Sequence, residues 1–150
     1  MANLSLVPKF VKKEIVEVWI AESLWLMLLK DTHTPNAGTQ QFVADVVAHE
    51  IADTGSGVYP AGGVPVVPLP DAGADGNNYF LDLTDLSIGP GSNLNYRFGI
   101  LYTKTGGSSQ ADYRIRAQID FMTDPLNPNQ IVTNGTSMIN WSAFGIIYVI

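Results

Sequence analysis

The chain contains no cysteine. Disulfides, thiolate zinc sites and cysteine nucleophiles are thereby excluded together. Positive charge is also scarce: 8 Lys and Arg stand against 14 Asp and Glu, for a formal net charge of −6. The basic residues are scattered apart from Lys9, Lys12 and Lys13. A protein that grips nucleic-acid phosphates needs clustered Lys and Arg, so no nucleic-acid partner is expected. Long apolar runs are missing too. The longest near the start, Val18 to Leu29, is broken by Glu22 and Ser23 and falls short of the ~20 residues that a membrane helix needs. With neither a span nor a secretion signal, the expectation is a soluble protein made in a cytoplasm, with no membrane partner.

What is present is apolar and weakly charged. Apolar residues make up 46% of the chain and charged ones only 15%, so Asn, Ser, Thr and Gln must supply much of the polar surface. All-β folds and proteins covered by partners share this profile. At 150 residues the chain is one ordinary domain, large enough to bury about two-thirds of the surface its unfolded form exposes.

Asn95 to Thr103 reads as a strand buried on both faces, with Phe98, Ile100 and Tyr102 on one side and Arg97, Gly99 and Leu101 on the other. Arg97 in such a run needs a carboxylate, for which Asp120 and Asp82 are the candidates. Gly99 implies a bulge or a bulky neighbour against the backbone. Tyr113 to Phe121 alternates strictly: Tyr113, Ile115, Ala117, Ile119 and Phe121 should face a core, and the two strands should form a hairpin. Ser23 to Lys30 reads as another buried strand, and Tyr79 to Thr84 as a half-exposed one. Ser137 to Trp141 and Gly145 to Ile150 close the chain as two strands or one bent strand. Trp141, Phe98, Trp25 and Phe121 are expected in the core.

Before the first strand, Met1 to Leu6 reads as an extended arm, and Val7 to Ile20 as a short amphipathic helix. Phe42 to Glu50 is a short helix or an irregular segment, and 54–65 is a Gly/Pro-rich loop leading to an edge strand at Val66 and Val67. Gly89-Pro90-Gly91 reads as punctuation ahead of the central strand. The predicted fold is mainly β: a single sandwich-like domain over 1–150. Its candidate partner-binding residues are Leu4 and Leu6 on the arm, Tyr59, Pro60 and Val64 in the loop, and Ile150 at the closing strand. Tyr59 should either pin its loop or insert into a partner. Arg97, Phe98, Tyr102, Asp120 and Trp141 are read as structural.

Catalytic signals are lacking. His33 and His49 have no Gly-x-Ser-x-Gly or His-Glu-x-x-His pattern beside them. Asp45, His49, Glu50 and Asp53 match no familiar metal spacing, and Asp71, Asp75 and Asn77 lack the terminal glutamate of a calcium loop. No Gly-Lys-Ser/Thr follows Gly55, Gly57, Gly62 and Gly63. No enzyme activity, cofactor or metal is therefore expected.

Several segments follow one another in a telling order: Leu28-Leu29-Lys30-Asp31-Thr32-His33-Thr34-Pro35-Asn36, Glu50-Ile51, and Gly57-Val58-Tyr59-Pro60-Ala61-Gly62-Gly63. Tyr96 to Tyr102, Ile119-Asp120-Phe121 and Gly135 to Trp141 come later. This order resembles a family of small virion structural proteins of tailed bacteriophages. The resemblance implies a capsid cement or decoration protein, commonly a homotrimer, that binds the outside of the major capsid protein shell after assembly in the host cytoplasm. The alternatives are a tail, neck or fibre-associated virion protein and, from another class, a carbohydrate-binding β-sandwich.

Overall fold

The computed structural model describes residues 17–18, 21–69, 74–75, 78–81, 83–104, 107–141 and 147–149. The predicted arm with Leu4 and Leu6, the predicted helix apart from Glu17 and Val18, Asp71, Asn77, Asp82 and Ile150 lie outside these residues. Among them the strands are β1 (Leu24–Leu29), β2 (Val64–Pro65), β3 (Ala74–Asp75), β4 (Asn78–Leu81), β5 (Leu86–Tyr96), β6 (Phe98–Thr103), β7 (Arg114–Asp120), β8 (Gln130–Ile139) and β9 (Ile147–Val149). Antiparallel pairing gives a four-stranded sheet β2-β1-β6-β7, a three-stranded sheet β3-β4-β9 and a long two-stranded ribbon β5-β8. The fold is mainly β and sandwich-like, as the composition predicts.

β1 and β6 lie at the centre because their side chains are apolar at nearly every position. They pair from Leu24↔Thr103 to Leu29↔Phe98, and alternation sends successive residues to opposite faces. Leu24, Leu26, Leu28 and Leu101 pack on Ile88, Leu94, Tyr96 and Ile139 of the ribbon. Met27, Leu29, Phe98, Ile100 and Tyr102 pack on Val43 and Val46 on the other side. The segment predicted as a helix or irregular is this second cover: two single 3-10 turns, Val43–Asp45 and Val47–His49. Each buried leucine of β1 contributes roughly 1.5–3 kcal/mol relative to an exposed one. Continuous apolarity is therefore the signature of a strand covered twice.

Three departures from the sequence reading share one cause, a local break in register that period-two patterns do not reveal. First, 95–103 is not one strand. Asn95 and Tyr96 end β5, Phe98 begins β6, and Arg97 is the corner at which the chain changes sheets. Its N–H donates to the Leu29 carbonyl at 3.1 Å and its carbonyl accepts from Phe121 N–H at 2.8 Å. Second, Leu101↔Ala117 is followed by Tyr102↔Ile115, so Arg116 is the extra residue of a bulge. Side-chain parity flips there: Ala117, Ile119 and Phe121 join the ribbon-side core, whereas Tyr113 and Ile115 join the other. Third, Gly89-Pro90-Gly91 lies within β5, in the irregularity between Ile88↔Ser137 and Ser92↔Gly135. The predicted edge strand also sits earlier than expected, at Val64–Pro65 rather than at Val66 and Val67.

Gly99 matches its prediction. A Cβ there would come within 2.8 Å of the Phe121 ring, so the bulky neighbour is that phenyl group. Phe121 in turn meets Tyr96 edge-on, with ring centroids 5.3 Å apart.

Candidate interaction site

The Gly/Pro-rich segment after Glu50 acts as a strap across both sheets. Its first part runs along β5: Ser56 N–H donates to Gly91 O at 2.9 Å, Thr54 N–H to Asn93 O at 3.3 Å, and Ser56 Oγ to Pro90 O at 3.0 Å. Gly55 sits so close that a Cβ would lie 2.2 Å from the Gly91 carbonyl oxygen. The second part covers the outer edge of β1. Ile51 N–H donates to Leu28 O at 3.1 Å and Val66 N–H to Leu24 O at 3.0 Å, with β2 pairing between them.

Tyr59 fills the gap that remains on that edge. Its hydroxyl accepts from Leu28 N–H at 2.8 Å and donates to Glu50 Oε1 at 3.2 Å, and the ring is 3% exposed. Glu50 Oε1 also accepts from Gly62 N–H at 2.7 Å, and the Tyr102 hydroxyl donates to the Gly62 carbonyl. Burial pushes the phenols of Tyr59 and Tyr102 up and raises the Glu50 carboxyl above its ordinary value. Of the two roles expected for Tyr59, pinning the loop is the one the structure displays. Insertion into a partner is corrected, because the side chain is committed to the core and to an otherwise unmet backbone donor.

Asp53 locks the other end of the strap. Its carboxylate accepts from Asn93 N–H at 2.9 Å, Gly55 N–H at 2.8 Å and Tyr59 N–H at 3.3 Å. These bonds, led by that from Asn93, hold its pKa down to about 2 against an ordinary 3.8. A depressed carboxylate contributes stability that is complete above its unfolded value and lost as pH falls through the folded one. Acid unfolding curves of the wild type and Asp53→Asn are therefore expected to converge as pH falls from 3.8 toward 2. A constant offset between them across that window would contradict this role.

The remaining predicted residues are structural. Arg97 Nε and Nη2 donate to Asp120 Oδ1 and Oδ2 at 3.3 and 3.1 Å, and the guanidinium lies 4.6 Å from the centre of the Phe98 ring. The partner is one of the two expected, but the pair is not internal: the two side chains are 28% and 39% exposed. Water and salt screen such a pair. Arg97→Met, which keeps an aliphatic stem over Phe98, is expected to shift the melting temperature only slightly, by an amount that shrinks in high salt. A salt-independent loss of many degrees would mean that Arg97 is an internal strut after all. Phe98 and Tyr102 are core, and Trp141 is half-buried with its indole N–H donating to Thr84 O at 3.0 Å.

Asp45, His49, Glu50 and Asp53 do not converge. Asp45 accepts from the N–H groups of Gln41 and Phe42 at 2.9 Å each, and His49 faces Thr32 and His33. Among the described residues, no three His, Cys, Asp or Glu side chains gather as metal ligands.

With Tyr59 turned inward, the outer side of the strap is left apolar. Val58 is 43% and Val67 63% exposed, Pro60 and Pro65 are exposed, and Val64 is half-buried between them. From Thr54 to Leu69 there is no charged residue. The sequence reading singles out Pro60 and Val64 of this apolar surface but not Val58 and Val67. The run from Thr54 to Pro70 carries no charge, but neither does the longer run from Pro125 to Ile150, so lack of charge alone does not single out this stretch. The fold is thus a β-sandwich-like domain with an apolar, uncharged ridge along one sheet edge. No known protein family, curated protein or solved structure matches the chain.

Proposed function

We propose that this protein is a non-catalytic bacteriophage capsid cement or decoration protein that binds the outside of the major capsid protein shell as a homo-oligomer, a trimer by preference. Its place is the virion surface. The observation that carries this reading is the uncharged ridge of Val58, Pro60, Val64, Pro65 and Val67, held rigid by the buried Tyr59 hydrogen bonds. The resemblance of its motif order to that of small phage structural proteins points the same way.

A cement protein works by area rather than chemistry. It sits where internal pressure separates capsomers, and each contact needs a standard interface of roughly 1,600 Å² in total, repeated over a symmetric shell. A ridge of valines and prolines suits that task because those side chains lose little rotamer entropy on binding. The acidic net charge of −6 opposes adsorption to packaged DNA.

Binding to decoration-free shells tests the proposal. The doubly substituted Val58→Asp/Val67→Asp protein should keep the wild-type melting temperature and lose at least tenfold in shell affinity. Wild-type affinity in that variant would exclude the ridge as the contact surface.

A further inference from the structure

We propose that His33 and His49 form a two-histidine site for a divalent transition-metal ion of the zinc, nickel and copper group. His33 is 3% exposed, and apart from the Gln118 amide that approaches its ring, neither ring nitrogen has a hydrogen-bond partner among the described residues. An imidazole always carries at least one N–H donor, and its neutral form also a lone pair, so a buried ring that has only Gln118 beside it leaves one nitrogen unmatched.

The ring of His49 lies beside that of His33. The two ring centroids are 5.5 Å apart and the planes are tilted by 60°. With metal–nitrogen bonds of about 2.0–2.1 Å and a near-tetrahedral angle, two imidazoles sharing one ion place their centroids about 5 Å apart. The observed centroid separation is close to that distance.

Each ring also has an oxygen available for its outer nitrogen. Thr32 Oγ1 lies 3.4 Å from His49 Nδ1. The Gln118 amide approaches the His33 ring, and its Oε1 has no other partner among the described residues. Metal-bound histidines ordinarily use their second nitrogen in this way, which fixes the ring's orientation. Gln118 is held in turn by its Nε2 donating to Gln40 Oε1 at 3.1 Å. Because no carboxylate joins the pair among the described residues, hard ions such as calcium and magnesium are disfavoured, and imidazole-preferring ions are selected.

Solvent would complete the coordination on the half-buried His49 side. The ion would tie the 31–41 loop to the Val47–His49 turn, both of which lie close to Phe98 or to the sheet face it belongs to. A loaded site would therefore stiffen the cover over β6.

The chain holds only two histidines, which makes the test direct. Chelator-stripped protein is titrated with nickel chloride while the imidazole C–H NMR signals are followed. Both histidines should broaden together, zinc chloride should raise the melting temperature, and His49→Gln should weaken zinc affinity at least tenfold. Broadening of neither ring or of His49 alone, or unchanged zinc affinity in His49→Gln, overturns the assignment.

Discussion

Tyr59→Ala is expected to destabilise the domain by about 3–5 kcal/mol, the usual cost of removing a buried aromatic side chain. Two losses combine in it. The ring leaves a void among Ile51, Val66 and the β1 leucines, and the hydroxyl no longer accepts from Leu28 N–H. That donor sits on the outer edge of β1, between the hydrogen bonds made by Val66 and by Ile51, where among the described residues no other acceptor reaches it. Tyr59→Phe separates the two terms. It keeps the packing, and should cost about 1–3 kcal/mol for the unsatisfied backbone group. Urea unfolding at neutral pH measures both. If Tyr59→Ala lost less than about 1 kcal/mol, the strap would not be an integral part of the fold.

Gly63→Ala should be worse tolerated than its size implies, while Gly62→Ala next to it should be mild. Both residues have positive φ, +81° and +89°, a region that costs an L-residue roughly 1–2 kcal/mol. The difference lies in what a new methyl group would meet. At Gly62 there is open space, whereas at Gly63 the Cβ would stand 2.1 Å from the Leu26 carbonyl oxygen and 2.8 Å from its carbon. Those atoms belong to the backbone of β1, where Leu26 pairs with both Val64 and Leu101, so they cannot retreat without opening the sheet. A loss of about 4 kcal/mol or more, or failure to fold, is expected for Gly63→Ala. Equal melting temperatures for the two variants would show that the strap does not press on β1.

These two residues also show where sequence reading reaches and where it stops. The twice-covered strands were legible because β1 and β6 carry apolar side chains at nearly every position, a pattern that only double burial explains. Gly99 was legible for a similar reason, since a glycine in a buried run requires a neighbour such as Phe121. The bulge at Arg116 was not. Tyr113 to Phe121 alternates without a flaw, and parity is lost only because β6 supplies one residue fewer across from it. The corner at Arg97 was hidden in the same way, inside a run whose side chains give no mark of a change of sheet.

The site was half legible. An aromatic residue in a Gly/Pro loop has either an inside or an outside use, and the loop's own sequence does not decide between them. What decides it is the unmet N–H of Leu28, thirty-one positions away in the chain. Once Tyr59 is inside, the outward residues follow from the strap's path, and the ridge extends from Pro60 and Val64 to Val58 and Val67.

The proposed role makes a stoichiometric demand, because a protein that seals capsomer joints must be present at nearly every joint. Quantitative gel densitometry of purified particles carrying this protein measures that number directly. A copy number close to that of the major capsid protein is the predicted result. A few tens of copies per particle would contradict it and place the protein in the tail, neck or fibres.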